Sequence, residues 1–238
     1  EGKKNMLING LVWMGEEHFM KSQIEEKLAQ GFSCIKLKIG AIDFEKELGL
    51  LRFIRQNFDA KTIEIRVDAN GAFASNEALS KLNQLHEFEL HSIEQPIKAN
   101  QIQEMKLLCQ QTPFPIALDE ELIGVFGIEK KRKLLEEIQP QYIILKPSLV
   151  GGFKGTLEWI SIAESLNIGW WITSALESNI GLNAITQFTF TLNNPMPQGL
   201  GTGGLYTNNF DCPLEIENGH IQYNVTKKWD ISNLGISI

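Results

Sequence analysis

The stretch Cys34-Ile35-Lys36-Leu37-Lys38-Ile39-Gly40 places two lysines, two residues apart, inside an otherwise apolar strand pattern. Side chains at i and i+2 share one face of a β-strand, so the two amines project together, about 6.6 Å apart at a rise of roughly 3.3 Å per residue. Taken alone, such a pair reads as an edge strand whose lysines face water. Four later stretches argue otherwise. Val67-Asp68-Ala69-Asn70, Ile93-Glu94-Gln95-Pro96, Ala117-Leu118-Asp119-Glu120 and Leu145-Lys146-Pro147-Ser148 each end a short apolar run on a charged residue.

Working outward from these runs, strand patterns fall at 7–14, 34–40, 63–67, 90–97, 115–118, 142–146 and 169–173, with a short one near Gly199. Helical spacing fills the gaps: Phe19, Ile24 and Leu28 before a stop at Gly31, then Phe44, Leu48, Leu51 and Ile54, and so on through 128–138, 157–166 and 182–192. Lys38, Asp68, Glu94, Asp119, Lys146 and Ser174 recur at intervals of 25 to 30 residues, the length of one strand-plus-helix repeat. Alternating strands and helices imply a parallel sheet, and about eight strands imply closure, so the expected fold is α/β, a (β/α)7β-type TIM barrel over residues 1–211. An open doubly wound sheet is the alternative, but no Gly-rich phosphate loop follows the first strands. From residue 212 the pattern changes to a hairpin, with Asn218-Gly219 as its type I′ turn, and a tail that needs something to pack on.

Composition narrows the function. A chain of 238 residues, 43% hydrophobic and 21% charged, suits one large domain with a sizeable core. Its net charge of -7 argues against a nucleic-acid partner. No apolar run approaches the roughly 18 residues of a membrane span, and nothing after Glu1-Gly2-Lys3-Lys4 resembles a signal peptide, so no membrane partner is expected. Cys34, Cys109 and Cys212 are too few and too scattered for a disulfide framework or a zinc site, which points to free thiols and a cytoplasmic location. Oligomeric state has no signature here.

In a parallel barrel, functional groups sit at the C-terminal ends of the strands, and all the flagged residues fall there. Asp68, Glu94 and Asp119 then lie on three neighbouring strands, about 4.8 Å apart from one to the next. Three buried carboxylates repel one another unless a cation is present. Oxygen ligands without His or Cys favour Mg²⁺ over zinc, with Mn²⁺ as a substitute. Lys38 and Lys146 would flank a substrate carboxylate held there, one removing its α-proton and the other stabilising the resulting charge. Lys36 would favour the neutral form of Lys38, and Asn70, on the same face as Asp68, could bond the substrate or the metal shell. Glu120 reads as a residue behind the metal ligands or as a lysine's partner, and the others each have an ordinary reading as well: Asp68 as a helix cap, Glu94 as a solvated loop residue, Lys146 as a surface strand end. Glu177 divides between a polar residue of the site and the cap of the next helix. His18, His86, His91 and His220 read as structural.

The ordered set K-x-K, D-A-N, E-Q-P, L-D-E and K-P resembles the enolase superfamily, within its muconate-lactonising subgroup. Residues 172–181, Ile-Thr-Ser-Ala-Leu-Glu-Ser-Asn-Ile-Gly, and the run Gly199-Leu200-Gly201-Thr202-Gly203 resemble its o-succinylbenzoate synthase branch. That resemblance implies an Mg²⁺-dependent hydro-lyase of menaquinone synthesis acting on a small-molecule carboxylate, 2-succinyl-6-hydroxy-2,4-cyclohexadiene-1-carboxylate. By the same analogy Lys38 is the base, Lys146 the electrostatic partner, and Ser174 and the Gly201 region the binders of the succinyl arm. Related functions stay open: an N-acylamino acid racemase, a dipeptide epimerase, or a catalytically silent barrel. Against the epimerase, Gly201-Thr202-Gly203-Gly204 carries no acid to hold a substrate ammonium. The superfamily also carries an N-terminal α+β capping domain, and no such segment precedes the first strand here. The expectation is that upstream material is missing from these residues or that the lid has been lost.

Overall fold

Along each central strand, alternate residues go to different cores. In the computed structural model, which describes residues 5–232, Ile35 and Leu37 of β3 (Cys34–Lys38) join the large apolar layer between sheet and helices, as do Ile65 and Val67 of β4 (Glu64–Asp68). Their neighbours Lys36, Arg66 and Asp68 are also buried, but they face the barrel interior, where Ala117, Ile144 and Trp171 form a separate small apolar cluster. Each fully buried Ile or Leu contributes about 1.5–3 kcal/mol. The outer layer therefore offsets what the inner face loses by burying charge.

Seven parallel strands follow in chain order, from β2 (Gly10–Val12) through β3, β4, β5 (Ser92–Glu94), β6 (Ile116–Leu118) and β7 (Tyr142–Leu145) to β8 (Gly169–Ile172). The ring closes through Gln198 and Gly199. The Gly199 amide donates to Ile172 and the Ser174 amide to Gly199, while Gln198 and Asn9 bond across to the other edge. A side chain at 199 would place its Cβ 2.1 Å from Thr173 Oγ1, so glycine is required where these strands meet. Among the described residues seven α-helices cover the ring: α1 (Glu17–Ala29), α2 (Phe44–Asn57), α3 (Ser75–Leu85), α4 (Ile102–Gln111), α5 (Ile128–Ile138), α6 (Gly152–Ser165) and α7 (Asn179–Leu192). The expected (β/α)7β barrel is the observed fold.

Two details differ from the sequence reading. The first strand, expected over 7–14, is divided: β1 (Asn5–Leu7) pairs antiparallel with β10 (His220–Tyr223), while β2 pairs with β3. The chain changes partner at Ile8 and Asn9, whose amides bond to Gly219 and Gln198 respectively, so one apolar run serves two sheets. In α1, Met20 and Ile24 are buried while Phe19 is 49% exposed, one position off the expected face. The hairpin of β9 (Leu214–Glu217) and β10 turns at Asn218 and Gly219, both at positive φ as a type I′ turn requires. Residues 1–4 and 233–238, including the end of the expected tail, lie outside the described residues. Cys34, Cys109 and Cys212 are free thiols. Among the described residues no helix is long and apolar enough to cross a membrane.

Candidate active site

Register brings the charged residues together. In the parallel ladder Lys38 lies opposite Asp68, and Asp68 opposite Glu94, so three consecutive inward positions on three strands are charged. Far from being an edge, β3 lies between β2 and β4, and Lys36 is 8% exposed. Asp68, Glu94 and Asp119 are buried to 2% exposure or less at the C-terminal end of the ring. Asp68 is not a helix cap and Glu94 is not a solvated loop residue; Asp119 opens the short helical turn 120–122 without a capping hydrogen bond from its side chain.

The lysines bind these carboxylates directly. Lys36 Nζ lies 2.9 Å from Asp68 Oδ2 and also touches Glu94 Oε2. Lys38 Nζ donates to Asp68 Oδ2 at 2.8 Å and to Asn70 Oδ1 at 2.7 Å, and Lys146 pairs with Asp119. Burial opposes the charge on Lys36, but the Asp68 and Glu94 carboxylates outweigh it and hold the ammonium well above the usual lysine range. The same contest leaves Lys146 raised, with Asp119 the main support. Asp68 goes the other way: burial disfavours its charge, but Lys36 and Lys38 overcome this and hold it below the usual carboxylate range. For Glu94, burial and the neighbouring Asp68 and Asp119 charges prevail over Lys36, and its carboxyl is raised well above the ordinary value.

Asn70, at φ +45°, links the parts: its side chain accepts from Lys38 and donates to Glu120 Oε1 at 2.9 Å. Glu120 is thus held by an amide and not by a lysine. Burial and Asp119 raise its carboxyl. Gln95, fully buried, receives the Asp119 and Glu121 amides at 3.2 and 3.4 Å on its side-chain oxygen, which fixes the turn that carries Asp119. Sequence reasoning passed over this glutamine, although it stands directly after Glu94.

Above the carboxylates opens a cavity of about 250 Å³, lined by Lys36, Lys38, Glu94 and Lys146 and walled by Trp13, Leu149, Leu176, Ser174, Gly201 and Thr202. Trp13 was not anticipated. It directly follows the first barrel strand, with its backbone clamped by Gln23 through two 3.0 Å hydrogen bonds and its ring centre 5.8 Å from Lys38 Nζ. A tryptophan at the end of a strand run was the available signal. A larger groove of about 650 Å³ runs down the barrel's flank between α1 and the hairpin turn and shares Trp13, Gly201 and Thr202 with this cavity. None of the clustered lysines and carboxylates lines it, so the smaller cavity is the one with chemistry. Glu177 does not cap α7, whose N-cap is Ser178; its carboxylate faces Ser148 and Ser174.

Among the described residues no three His, Cys, Asp or Glu side chains form a ready-made metal shell. The carboxylates lie side by side, each turned toward a lysine. The donor set nevertheless fits a hard divalent cation. It offers three buried carboxylates on adjacent strands, and Glu94 Oε1 is buried with no hydrogen-bond partner while Oε2 meets Lys36 without hydrogen-bond geometry.

Residues 20–227 match the family described as Enolase C-terminal domain-like. The chain is 57% identical over 218 residues to an o-succinylbenzoate synthase of Desulfotalea psychrophila, which covers 92% of this chain and 59% of that protein. It is 25% identical over 210 residues to the L-Ala-D/L-Glu epimerase of Bacillus subtilis, covering 54% of that protein. The crystal structure of MenC from Desulfotalea psychrophila superposes with a TM-score of 0.86 at 54% identity, over 93% of this chain and 61% of that one. A muconate lactonizing enzyme from Pseudomonas putida shares the fold at a TM-score of 0.83 and 23% identity. The chain thus spans roughly three fifths of the length of these Desulfotalea psychrophila relatives. A barrel with two lysine-bearing strands facing each other across three carboxylate strand ends, matched over most of its length by that model, belongs to the enolase C-terminal domain-like family.

Proposed function

We propose that this chain is the catalytic barrel of a lyase that removes a proton α to a carboxylate and eliminates water, converting 2-succinyl-6-hydroxy-2,4-cyclohexadiene-1-carboxylate to o-succinylbenzoate in menaquinone synthesis. The carrying observation is that Lys38 and Lys146, on strands four apart in an eight-position ring, line one cavity above Asp68, Glu94 and Asp119. The 57% identity to an o-succinylbenzoate synthase supports the choice of substrate.

Asp68, Glu94 and Asp119 would hold a divalent cation, Mg²⁺ or Mn²⁺, which when bound neutralises a substrate carboxylate and so makes its α-proton more acidic. Lys38 takes the α-proton on Nζ, and the C–H electron pair passes into the carboxylate. The Lys146 ammonium, held protonated by Asp119, lies across the cavity from Lys38 and stabilises that developing charge. Collapse of the pair toward the ring forms the new double bond and breaks the C–O bond. The proton on Lys38 leaves with the hydroxide as water, so a single base serves both steps. Asn70 and Asp68 fix the position of Lys38.

One observation favours a second reading. Lysines on opposite walls could act as acid and base on the two faces of an α-carbon, which is racemisation of an N-acylated amino acid; an N-succinylamino acid racemase of Thermus thermophilus is 34% identical over 159 residues.

Production of o-succinylbenzoate, followed by its aromatic absorbance, tests the first reading, and α-proton exchange without dehydration would shift the assignment to the second. Calorimetric titration should show one divalent site that Asp119→Ala abolishes. Undiminished binding in that variant would remove Asp119 from the metal's ligands.

A further inference from the structure

One wall of the cavity is built from loops that a half-buried hydrogen-bond hub ties together. Glu177 accepts from Ser148 Oγ, from Ser174 Oγ at 2.7 Å and from the Ala175 amide at 2.8 Å. Ser148 belongs to the loop after β7, two residues beyond Lys146, and Ser174 and Ala175 to the loop after β8. Ser174 carries the connection on: its Oγ accepts from the Leu176 amide at 2.9 Å and from Thr202 Oγ1 at 2.8 Å, the latter from the turn after the closing strand. A serine hydroxyl has one proton and two lone pairs. All three are occupied here, which ties Ser174 into the wall.

Leu176 shows what the hub holds. Its φ is +68°, a left-handed conformation that a branched non-glycine residue adopts only where the surroundings enforce it. Its amide is held by Ser174 and its carbonyl by the Tyr206 hydroxyl at 2.8 Å, and its side chain, 40% exposed, faces the cavity. Leu149, which follows Ser148, lines the same wall.

We propose that Glu177 is a positioning residue: by joining the loops after β7 and β8 it keeps Leu176 and Leu149 against the part of the carboxylate substrate remote from its reacting carbon. The inference rests on the dehydration reading for its substrate but not for its structural content. Because the apolar side chains of this wall carry no charge that could act on the reacting carbon, its loss weakens ground-state and transition-state binding alike, which raises KM and leaves kcat nearly unchanged.

The test compares E177A with E177Q, whose amide oxygen can still accept from Ser174 and Ala175. Steady-state formation of o-succinylbenzoate should show E177A with KM raised about tenfold, the size expected for losing a half-buried carboxylate that accepts three hydrogen bonds, and kcat within about threefold. In the ligand-free protein, the amides of Ala175 and Leu176 should exchange with D₂O at least about tenfold faster in E177A. E177Q should restore both toward wild type. A milder variant, S148A, removes one bond only and should move KM in the same direction by about threefold, which keeps the test available if E177A folds poorly. Unchanged KM and exchange in E177A overturn the proposal. So does an E177Q as impaired as E177A with wild-type exchange, since the negative charge itself would then act on the ligand. If the wild-type chain makes no o-succinylbenzoate, the dehydration reading fails, while the exchange contrast between E177A and E177Q still decides whether Glu177 locks this wall.

Discussion

The two ends of the barrel interior bury charge in opposite ways. At the C-terminal end, Lys36 is divided between Asp68 and Glu94, and Glu94 keeps an oxygen with no partner. At the N-terminal end, Arg66 is 1% exposed, yet its Nε donates to Glu64 at 2.7 Å, its Nη1 to the Pro197 carbonyl at 2.9 Å, and its guanidinium lies 4.2 Å from the centre of the Trp171 ring. Tyr142 and His91 complete an aromatic plug around Trp171, with ring centres 4.9 to 6.0 Å apart. Removing charge from water costs several kcal/mol per ion unless partners replace the solvent. The bottom meets Arg66 with a carboxylate, a carbonyl and an aromatic face and leaves only its Nη2 without a hydrogen-bond partner; the top sets three carboxylates against one another, with a cavity above them. Crowded carboxylates beside an open cavity belong to a site that takes a ligand, and a cation held between a carboxylate and aromatic rings belongs to a scaffold.

The sharpest way to break this comparison is to remove the lysines at the top. Lys38→Ala should lower dehydration about 10³–10⁴-fold and stop α-proton exchange with D₂O, with little change in melting temperature. Lys146→Ala should fail comparably, whereas Lys146→Arg, which keeps a cation but cannot accept a proton, should retain more activity than the alanine variant. Equal inactivity of both Lys146 variants, with exchange persisting in Lys38→Ala, would make Lys146 a base and favour racemisation.

At the bottom the expected loss is of stability. Arg66→Met strands Glu64 and the Pro197 carbonyl and should cost about 3 kcal/mol, lowering the melting temperature by roughly 6–12 °C while activity per folded molecule stays within about threefold. A large fall in kcat without destabilisation would show that the two ends are coupled.

His91 gives the bottom a pH signature. Burial is the main cause that pulls its imidazole down to about 4, Glu64 opposing and Arg66 assisting. The unfolded chain binds this proton from about pH 6.5 downward and the folded one only near pH 4, so the contribution is intact above pH 6.5 and is lost as pH falls through that window. Allowing for its partial exposure, acid unfolding titrations should show a loss on the order of 2 kcal/mol that His91→Gln removes.

The smallest expected effect is the most telling. Glu94→Gln deletes a charge at a site 2% exposed, yet in metal-free protein it should change stability by no more than about 1 kcal/mol, because it relieves crowding with Asp68 and Asp119. A loss of 3 kcal/mol or more would mean that the Lys36–Glu94 contact outweighs that crowding.

Strand-end spacing was legible in the sequence because a parallel barrel repeats one strand and one helix per position, and the ladder then carries Lys38, Asp68 and Glu94 to adjacent places whatever the loops do. That periodicity determined the barrel, and with it the association of two lysines with three carboxylates. Partner choice was beyond it. Whether Lys36 meets Asp68 or only influences Lys38, whether Glu120 meets a lysine or Asn70, and whether Glu177 caps a helix or ties two loops depend on side-chain reach across a curved sheet. The division of the first apolar run between two sheets was equally hidden, since β1 finds its partner more than two hundred residues later at β10. Local pattern records which face a residue takes; only the closed ring decides what it meets there, because closure brings into contact groups whose separation along the chain has no period.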